Sequence, residues 1–68
     1  MRNLYREYYL KVGKELLKWN LPNEDEIFIQ GLERAYRLDV PDYYARGTAP
    51  ELTAVLIAHK LKLTLREL

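Results

Sequence analysis

The side chains best suited to chemistry in this chain are a single histidine and several carboxylates. His59 is the only histidine, and the 68 residues contain neither cysteine nor serine. Nucleophilic catalysis by a Ser–His or Cys–His pair therefore lacks its residues, and one chain cannot supply a two-histidine metal site. We expect a protein that is not an enzyme and that uses no metal, cofactor or small-molecule substrate.

Two aspartates, Asp39 and Asp42, are close enough in the sequence to act as paired carboxylates in a metal site or in acid–base catalysis. Both also fall at the predicted start of a short helix, where carboxylates cap free amides and balance the helix dipole. The same reasoning applies to residues 24–26, an acidic run that could dock a basic partner. Helix capping is the preferred interpretation for both groups.

Tyrosine is unusually frequent, with six copies that include the doublets Tyr8–Tyr9 and Tyr43–Tyr44. Successive helical residues point about 100° apart, so at least one ring of each doublet is expected near the surface. An exposed tyrosine beside arginine is a common interface anchor. Tyr43, Tyr44 and Arg46 are therefore candidate recognition residues. The alternative is packing at the edge of the core with the hydroxyl in water.

Two breaks divide the chain into helical segments. Pro22 biases the residue before it away from the helical region, and Asn23 with Glu26 forms a capping-box pattern that starts the next helix. The second break covers residues 39–48, and residues 48–51 form another capping-box pattern. Each break is expected to separate two packed helices.

The apolar spacing between these breaks predicts an all-α fold. We expect three main helices, at 2–19, 24–38 and 48–68, and one short connecting helix at 40–46 that Pro41 helps to start. They are expected to form a compact bundle in a single domain over residues 1–68. Gly31, in the middle of the second helix, predicts a close aromatic neighbour, Tyr8 or Trp19. The predicted core stripes of the first two helices comprise Leu4, Tyr5, Tyr8, Tyr9, Val12, Leu16, Trp19, Ile27, Phe28, Gly31, Leu32, Ala35 and Leu38.

The last helix carries more apolar residues than one buried face can use. One predicted stripe comprises Ala54, Ile57, Ala58, Leu61, Leu65 and Leu68, and the other comprises Leu52, Val55, Leu56, His59 and Leu63. We interpret the second stripe as an interface with another copy of the chain or another protein, although the two stripes could exchange roles. His59 could be a pH-sensitive group there, or a satisfied residue at the rim.

Residues 60–66 also permit a second interpretation, because leucine alternates with polar residues as in a strand. A helix is preferred, since the apolar run continues without a break from the predicted cap at Thr48. A strand here has no comparable partner strand in the chain and would pair with another copy or another protein. Either structure would direct this segment outward.

Charge is segregated along a chain whose net charge is only +1. Residues 1–22 carry five basic and two acidic side chains, residues 23–42 carry two and six, and residues 43–68 carry four and two. A nucleic-acid-binding regulator that uses the basic first helix is the alternative function, but Glu51 would oppose phosphate at the start of the last helix.

The chain begins with charged residues and has no long apolar run, so we expect a cytoplasmic protein that does not enter membranes. The missing cysteine also fits a reducing compartment. The clean capping patterns would also suit a designed helical miniprotein without natural function. The favoured interpretation is a small non-enzymatic interaction or regulatory protein that associates with itself.

Overall fold

Four α-helices and one π-helical turn build the described part of the chain, residues 2–66 of a computed structural model. The elements are α1 at Leu4–Leu16, α2 at Glu26–Arg34, the π-turn at Ala35–Asp39, α3 at Val40–Ala45 and α4 at Pro50–Lys60. The predicted all-α fold, a compact bundle of three main helices and one short connecting helix, is confirmed. The boundaries of several helices differ from those predicted.

Helix α1 begins two residues later and ends three residues earlier than predicted. The side chain of Asn3 accepts a hydrogen bond from the Arg6 amide at 2.9 Å, which satisfies one of the free donors of the first turn. The helix ends at Leu16, so the predicted end at Trp19 is wrong. Trp19 lies outside the helix because its backbone pairs with the C-terminal part of the chain.

Helix α2 is capped by a residue other than the one predicted. The Asp25 carboxylate accepts from the amides of Ile27 and Phe28 at 2.9 and 3.4 Å. Asn23 instead belongs to the preceding turn, where its amide donates to the Leu21 carbonyl at 2.8 Å. The capping box on Asn23 is therefore wrong by two residues, because the turn around Pro22 uses Asn23 itself.

The predicted second break, at residues 39–48, is wrong in its first part, since α2 continues through the π-turn directly into α3. The Val40 amide donates to the Ala35 carbonyl, five residues earlier. Pro41 follows this wide turn, and proline has no amide and crowds the carbonyl four residues before it. A π-turn relieves this conflict by widening the helix at that point, so the chain does not have to leave the helical path.

Helix α4 starts without the predicted capping box. Its N-cap residue is Ala49, no side chain caps it, and Pro50 occupies the first turn. Proline fits there because its missing amide would have had no helical partner. The turn before the helix uses Gly47 at a φ of +75°, a conformation that glycine adopts without strain.

Helix α4 ends at Lys60, and the predicted extension to residue 68 is wrong over residues 61–66. The Lys62 amide donates to the His59 carbonyl and the Leu63 amide to the Ala58 carbonyl, at 3.1 and 2.8 Å. This pair of bonds is a Schellman motif, with Lys62 at a φ of 59° in the place where glycine is usual. Residues 67 and 68 lie outside the described part of the chain.

Residues 61–66 are called the C-terminal strap from here on; Leu61 and Lys62 form the turn that ends α4, and the residues after them run along the segment that follows α1. The Asn20 amide donates to the Thr64 carbonyl at 2.8 Å, and the Arg66 amide donates to the Lys18 carbonyl at 3.0 Å. These bonds frame an antiparallel bridge between Trp19 and Leu65. The strand interpretation was therefore closer for this segment, but the partner belongs to the same chain, not to another one.

The core lies between α1, α4 and the path from α2 to α3. Its buried apolar residues are Val12, Leu16, Trp19, Phe28, Ala35, Val40, Ala54, Ile57 and Ala58. Four residues of the predicted core stripes of the first two helices are exposed instead, namely Leu4, Tyr9, Ile27 and Leu38. A Cβ on Gly31 would lie 2.8 Å from Leu61 Cδ2, so the close neighbour of Gly31 is this strap leucine and not an aromatic ring.

Candidate interaction surface

Helix α4 presents apolar side chains on two sides. Ala54, Ile57 and Ala58 on the inner side are buried, as the first predicted stripe requires. On the outer side, Leu52 retains 51% of its accessible surface and Leu56 retains 36%. The structure thus decides which stripe faces inward. Leu65 of that stripe lies in the strap and is exposed, and Leu68 lies outside the described residues.

The inner side also holds a polar residue that sequence reasoning missed. Thr53 is completely buried, and its hydroxyl is hydrogen-bonded to the hydroxyl of Tyr8 on α1. Thr53 directly precedes Ala54, at a helical position close to that of Ile57, so its spacing alone indicated an inward direction. This hydrogen bond joins α1 to α4. Because Thr53 faces inward, its hydroxyl does not contribute to the outer side of α4.

Only part of the second predicted stripe is exposed on the outer side of α4. Leu52, Leu56 and His59 are exposed on the outer side of α4, whereas Val55 is half-buried and packs against the core. Leu63 does not extend this helical stripe, because the helix has already ended; it also packs against the core from the strap. The exposed surface, called the outer face of α4 below, therefore consists of Leu52, Leu56 and His59 with Val55 at its edge.

His59 contacts an aromatic ring from the segment that follows α1. Its imidazole meets the indole of Trp19 edge-on, with ring centroids 5.8 Å apart. Trp19 is buried, whereas His59 is exposed, so the indole covers one side of the imidazole from beneath. His59 thereby stands at the C-terminal limit of the outer face with one side covered and the other open.

Ion pairs border the outer face at its two ends. Glu51 lies 3.5 Å from Lys11 Nζ of α1, and Lys60 Nζ lies 2.9 Å from Asp39 at the end of the π-turn. Asp39 does not cap α3, since no side chain makes that bond, and the capping interpretation is wrong for it. The pairs neutralise the charges nearest the exposed leucines, which favours contact with an uncharged surface.

The tyrosines of α1 and α3 mainly contact one another. Tyr44 meets Tyr5 and Tyr8 edge-on at centroid distances of 5.1 and 5.0 Å, and Tyr9 lies 4.8 Å from Tyr36. Burial and the neighbouring Tyr9 hydroxyl raise the pKa of Tyr36 above its ordinary value. Five of the six tyrosines therefore pack against another tyrosine of the same chain.

The second set of candidate recognition residues lies on and after α3. Tyr43 is half-buried, Tyr44 keeps 37% of its surface, and the exposed Arg46 pairs with Asp42 at 3.2 Å. Asp42 lies in the first turn of α3, where it also suits the helix dipole. With Tyr44 packed on α1 and Arg46 paired, this set is less open to a partner than the outer face of α4.

Other exposed leucines and isoleucines occur that the predicted stripes did not anticipate. Leu10 and Leu17 of the α1 side retain 58% and 59% of their surface, and Ile27 on α2 retains 81%. Leu10 and Leu17 lie seven residues apart with Lys14 between them, a spacing from which their shared direction could have been found. Ile27 stands at the first turn of α2, where the helix projects beyond its neighbours.

An open groove runs between the start of α2 and the strap. It has a volume of about 770 Å³, is open to solvent, and is lined by Leu21, Ile27, Phe28, Leu61 and Leu63 with polar residues at its rim. Among residues 2–66, no group of three or more histidine or acidic side chains lies close enough to hold a metal ion. In the same range, no helix has the length and apolar character needed to cross a membrane.

Comparison with protein-family models, with curated proteins and with solved structures finds no match to this chain. Functional inference therefore rests on the geometry of the surface.

Proposed function

We propose that this protein is a small non-enzymatic interaction module that associates with a second copy of itself through the outer face of α4. The observation that carries the proposal is the pair Leu52 and Leu56, which lie one helical turn apart and remain exposed beside a fully buried inner side. Single exposed leucines are common on protein surfaces. Adjacent exposed leucines form an apolar patch, and covering that patch lowers the free energy of the protein.

The patch has the composition of an interface centre. Leu52, Val55, Leu56 and His59 carry no fixed charge, and charged residues stand at both ends of α4 in ion pairs. Interfaces combine an apolar centre with a polar rim in this manner. By contrast, the exposed Leu10 and Leu17 have Lys14 between them on the same side of the chain.

A second copy is the proposed partner because a chain of this size gains most from self-association. A domain of about 60 residues buries only about 60% of its unfolded surface and needs reinforcement. This chain has no cysteine for a disulfide. Two-fold symmetric contact would place the same uncharged patch on both sides of the interface, which self-complementary surfaces require.

Sedimentation velocity over a range of micromolar concentrations tests the proposal. The wild-type protein is expected to show a reversible shift from monomer to dimer. Replacing Leu52 and Leu56 together by glutamine should remove this shift, whereas circular dichroism should retain its helical signal because both side chains are exposed.

A matched control replaces Leu10 and Leu17 by glutamine. These leucines are at least as exposed as those of α4; Leu10 lies in α1 and Leu17 directly follows it. The control is expected to associate like the wild type. A wild type that stays monomeric at millimolar concentration would contradict the proposal, as would association lost in the α1 variant but kept in the α4 variant.

The proposed role is binding and not catalysis, because the chain lacks serine, cysteine and a second histidine. A cytoplasmic location is part of the proposal and rests on the missing cysteine.

Nucleic-acid binding through α1 remains the alternative. Three of the five basic side chains of residues 1–22, Arg2, Lys11 and Lys18, are already paired with carboxylates. This pairing lowers the positive charge available for phosphate. Affinity for duplex DNA that falls steeply with salt would favour the alternative.

A further inference from the structure

His59 lies on the outer face of α4, where a partner that covers the face would also cover the imidazole ring. It follows Leu56 by three residues and Leu52 by seven, so the three side chains lie on the same side of the helix. It is exposed, and one side of its ring is covered by Trp19 at 5.8 Å. A second chain that covers both leucines must also cover the remaining side of the imidazole.

We propose that self-association through the outer face of α4 is controlled by pH, with His59 as the sensing residue and the neutral imidazole as the form that associates. This proposal rests on the self-association proposed above and names its regulation. Histidine is the side chain whose ordinary titration falls between about pH 5 and 8, so that its charge changes within a mild range.

Among the described residues, the charged side chains closest to His59 along α4 and the strap are the basic Lys60 and Lys62. Lys60 follows His59 in α4, and the Lys62 amide donates to the His59 carbonyl from the strap. On the α1 side, the nearest charged groups to Trp19 in the chain are Lys18 and Glu15, and the Glu15 carboxylate is bound to Lys18 Nζ at 2.8 Å. The Lys60 ammonium group is itself bound to the Asp39 carboxylate at 2.9 Å.

The sign of the effect follows from the cost of removing a charge from water. Covering an imidazolium with leucine side chains costs more free energy than covering the neutral ring. Assembly therefore releases protons when the monomers carry them, and association weakens as the pH falls. A symmetric dimer that releases one proton from each chain loses up to about a hundredfold in affinity for each pH unit below the titration range.

The test measures the dimer dissociation constant by sedimentation at about pH 7.5 and at about pH 5.5, within the range where histidine titrates and most carboxylates do not. The wild type is expected to associate at least about tenfold more weakly at the lower pH. His59→Gln keeps a polar side chain that does not titrate, and this variant should associate with equal strength at both pH values. Circular dichroism at each pH checks that the helices persist.

The outcomes separate this proposal from the one on which it rests. A wild type that is monomeric at about pH 7.5 contradicts self-association itself. A dimer whose dissociation constant is the same at both pH values leaves self-association intact and overturns the role of His59. The same conclusion follows if His59→Gln shows the full pH dependence of the wild type.

Discussion

Thr53 is the one polar residue that is buried in the core of the described chain. A buried hydroxyl without a partner is costly, and the Tyr8 hydroxyl supplies the partner from α1. No buried polar side-chain atom among the described residues lacks a hydrogen-bond partner. The contact between α1 and α4 therefore combines apolar packing with one specific polar pair, which fixes how the two helices face each other.

Tyr8→Phe is expected to lower the free energy of unfolding by about 1–3 kcal/mol, because it leaves the buried Thr53 hydroxyl without a partner. Chemical denaturation measures this change. Tyr9→Phe is the matched control, since Tyr9 is exposed, and it should change stability by less than about 0.5 kcal/mol. The double variant Tyr8→Phe with Thr53→Val should lose less than the sum of the two single changes; strict additivity would contradict the pairing.

Lys62 ends α4 in a backbone conformation that favours glycine. Its φ of 59° costs a residue with a side chain about 1–2 kcal/mol relative to glycine. Two hydrogen bonds of the Schellman motif and the attachment of the strap keep it there. Apolar periodicity gives no sign of a positive φ at a lysine, so the predicted helix continued past Lys62.

Lys62→Gly is accordingly expected to raise the free energy of unfolding by about 1 kcal/mol, measured by denaturant titration. Lys60→Gly is the comparison, because Lys60 belongs to the regular part of α4. That change should lower stability by about 1 kcal/mol. Loss of stability in both variants would show that the positive φ of Lys62 carries no strain.

At the scale of elements, the chain uses different devices at the start of each helix. Asn3 and Asp25 cap α1 and α2 through side-chain oxygens, whereas α4 begins at Ala49 with no side-chain cap. Pro50 compensates in part because it brings one fewer unsatisfied amide. The start of α4 is therefore the least satisfied helix start among these three.

Ala49→Ser is expected to raise stability by about 1 kcal/mol, because serine can accept from the free amides of the first turn of α4. The thermal unfolding midpoint measures the gain. Thr48→Ala distinguishes this cap position from the one that the sequence indicated. If Thr48 were the cap, its loss would cost about 1 kcal/mol and the Ala49 change would bring no gain.

Across the whole molecule, the tyrosine contacts join α1 to the π-turn and α3. Tyr36 lies beside Tyr9, and Tyr44 lies between Tyr5 and Tyr8. Burial raises the pKa of Tyr36 above its ordinary value. Burial also raises the pKa of Tyr5, and the neighbouring Tyr9 and Tyr8 add to that effect. The folded state therefore favours the neutral, protonated form of these two tyrosines.

Stability should consequently fall at alkaline pH. Because the folded-state pKa of Tyr36 lies above the ordinary value of 10.0, its contribution is present below that value and is lost as the pH rises through the folded-state pKa. The unfolding midpoint of the wild type should decrease between about pH 9 and about pH 11. Tyr36→Phe should show a smaller decrease; an equal decrease in both proteins would contradict the contribution of Tyr36.

The sequence by itself determined the helical character, the inward direction of Val12, Leu16 and Ile57, and the apolar excess on α4. These features follow from local periodicity, since residues three and four apart share a helix face whatever the rest of the chain does. The same local rule could not say that Leu4 or Ile27 would be exposed, because that depends on where a neighbouring helix stops.

Only the tertiary structure decided the end of α4, the path through Pro41 and the direction of each α4 face. The strap leaves the helix because its backbone pairs with Lys18 and Asn20, more than forty residues earlier in the chain. Leu61 then packs on Gly31, which no short-range pattern contains. Contacts between distant residues select among local structures of similar free energy, so the fold resolved what spacing left open.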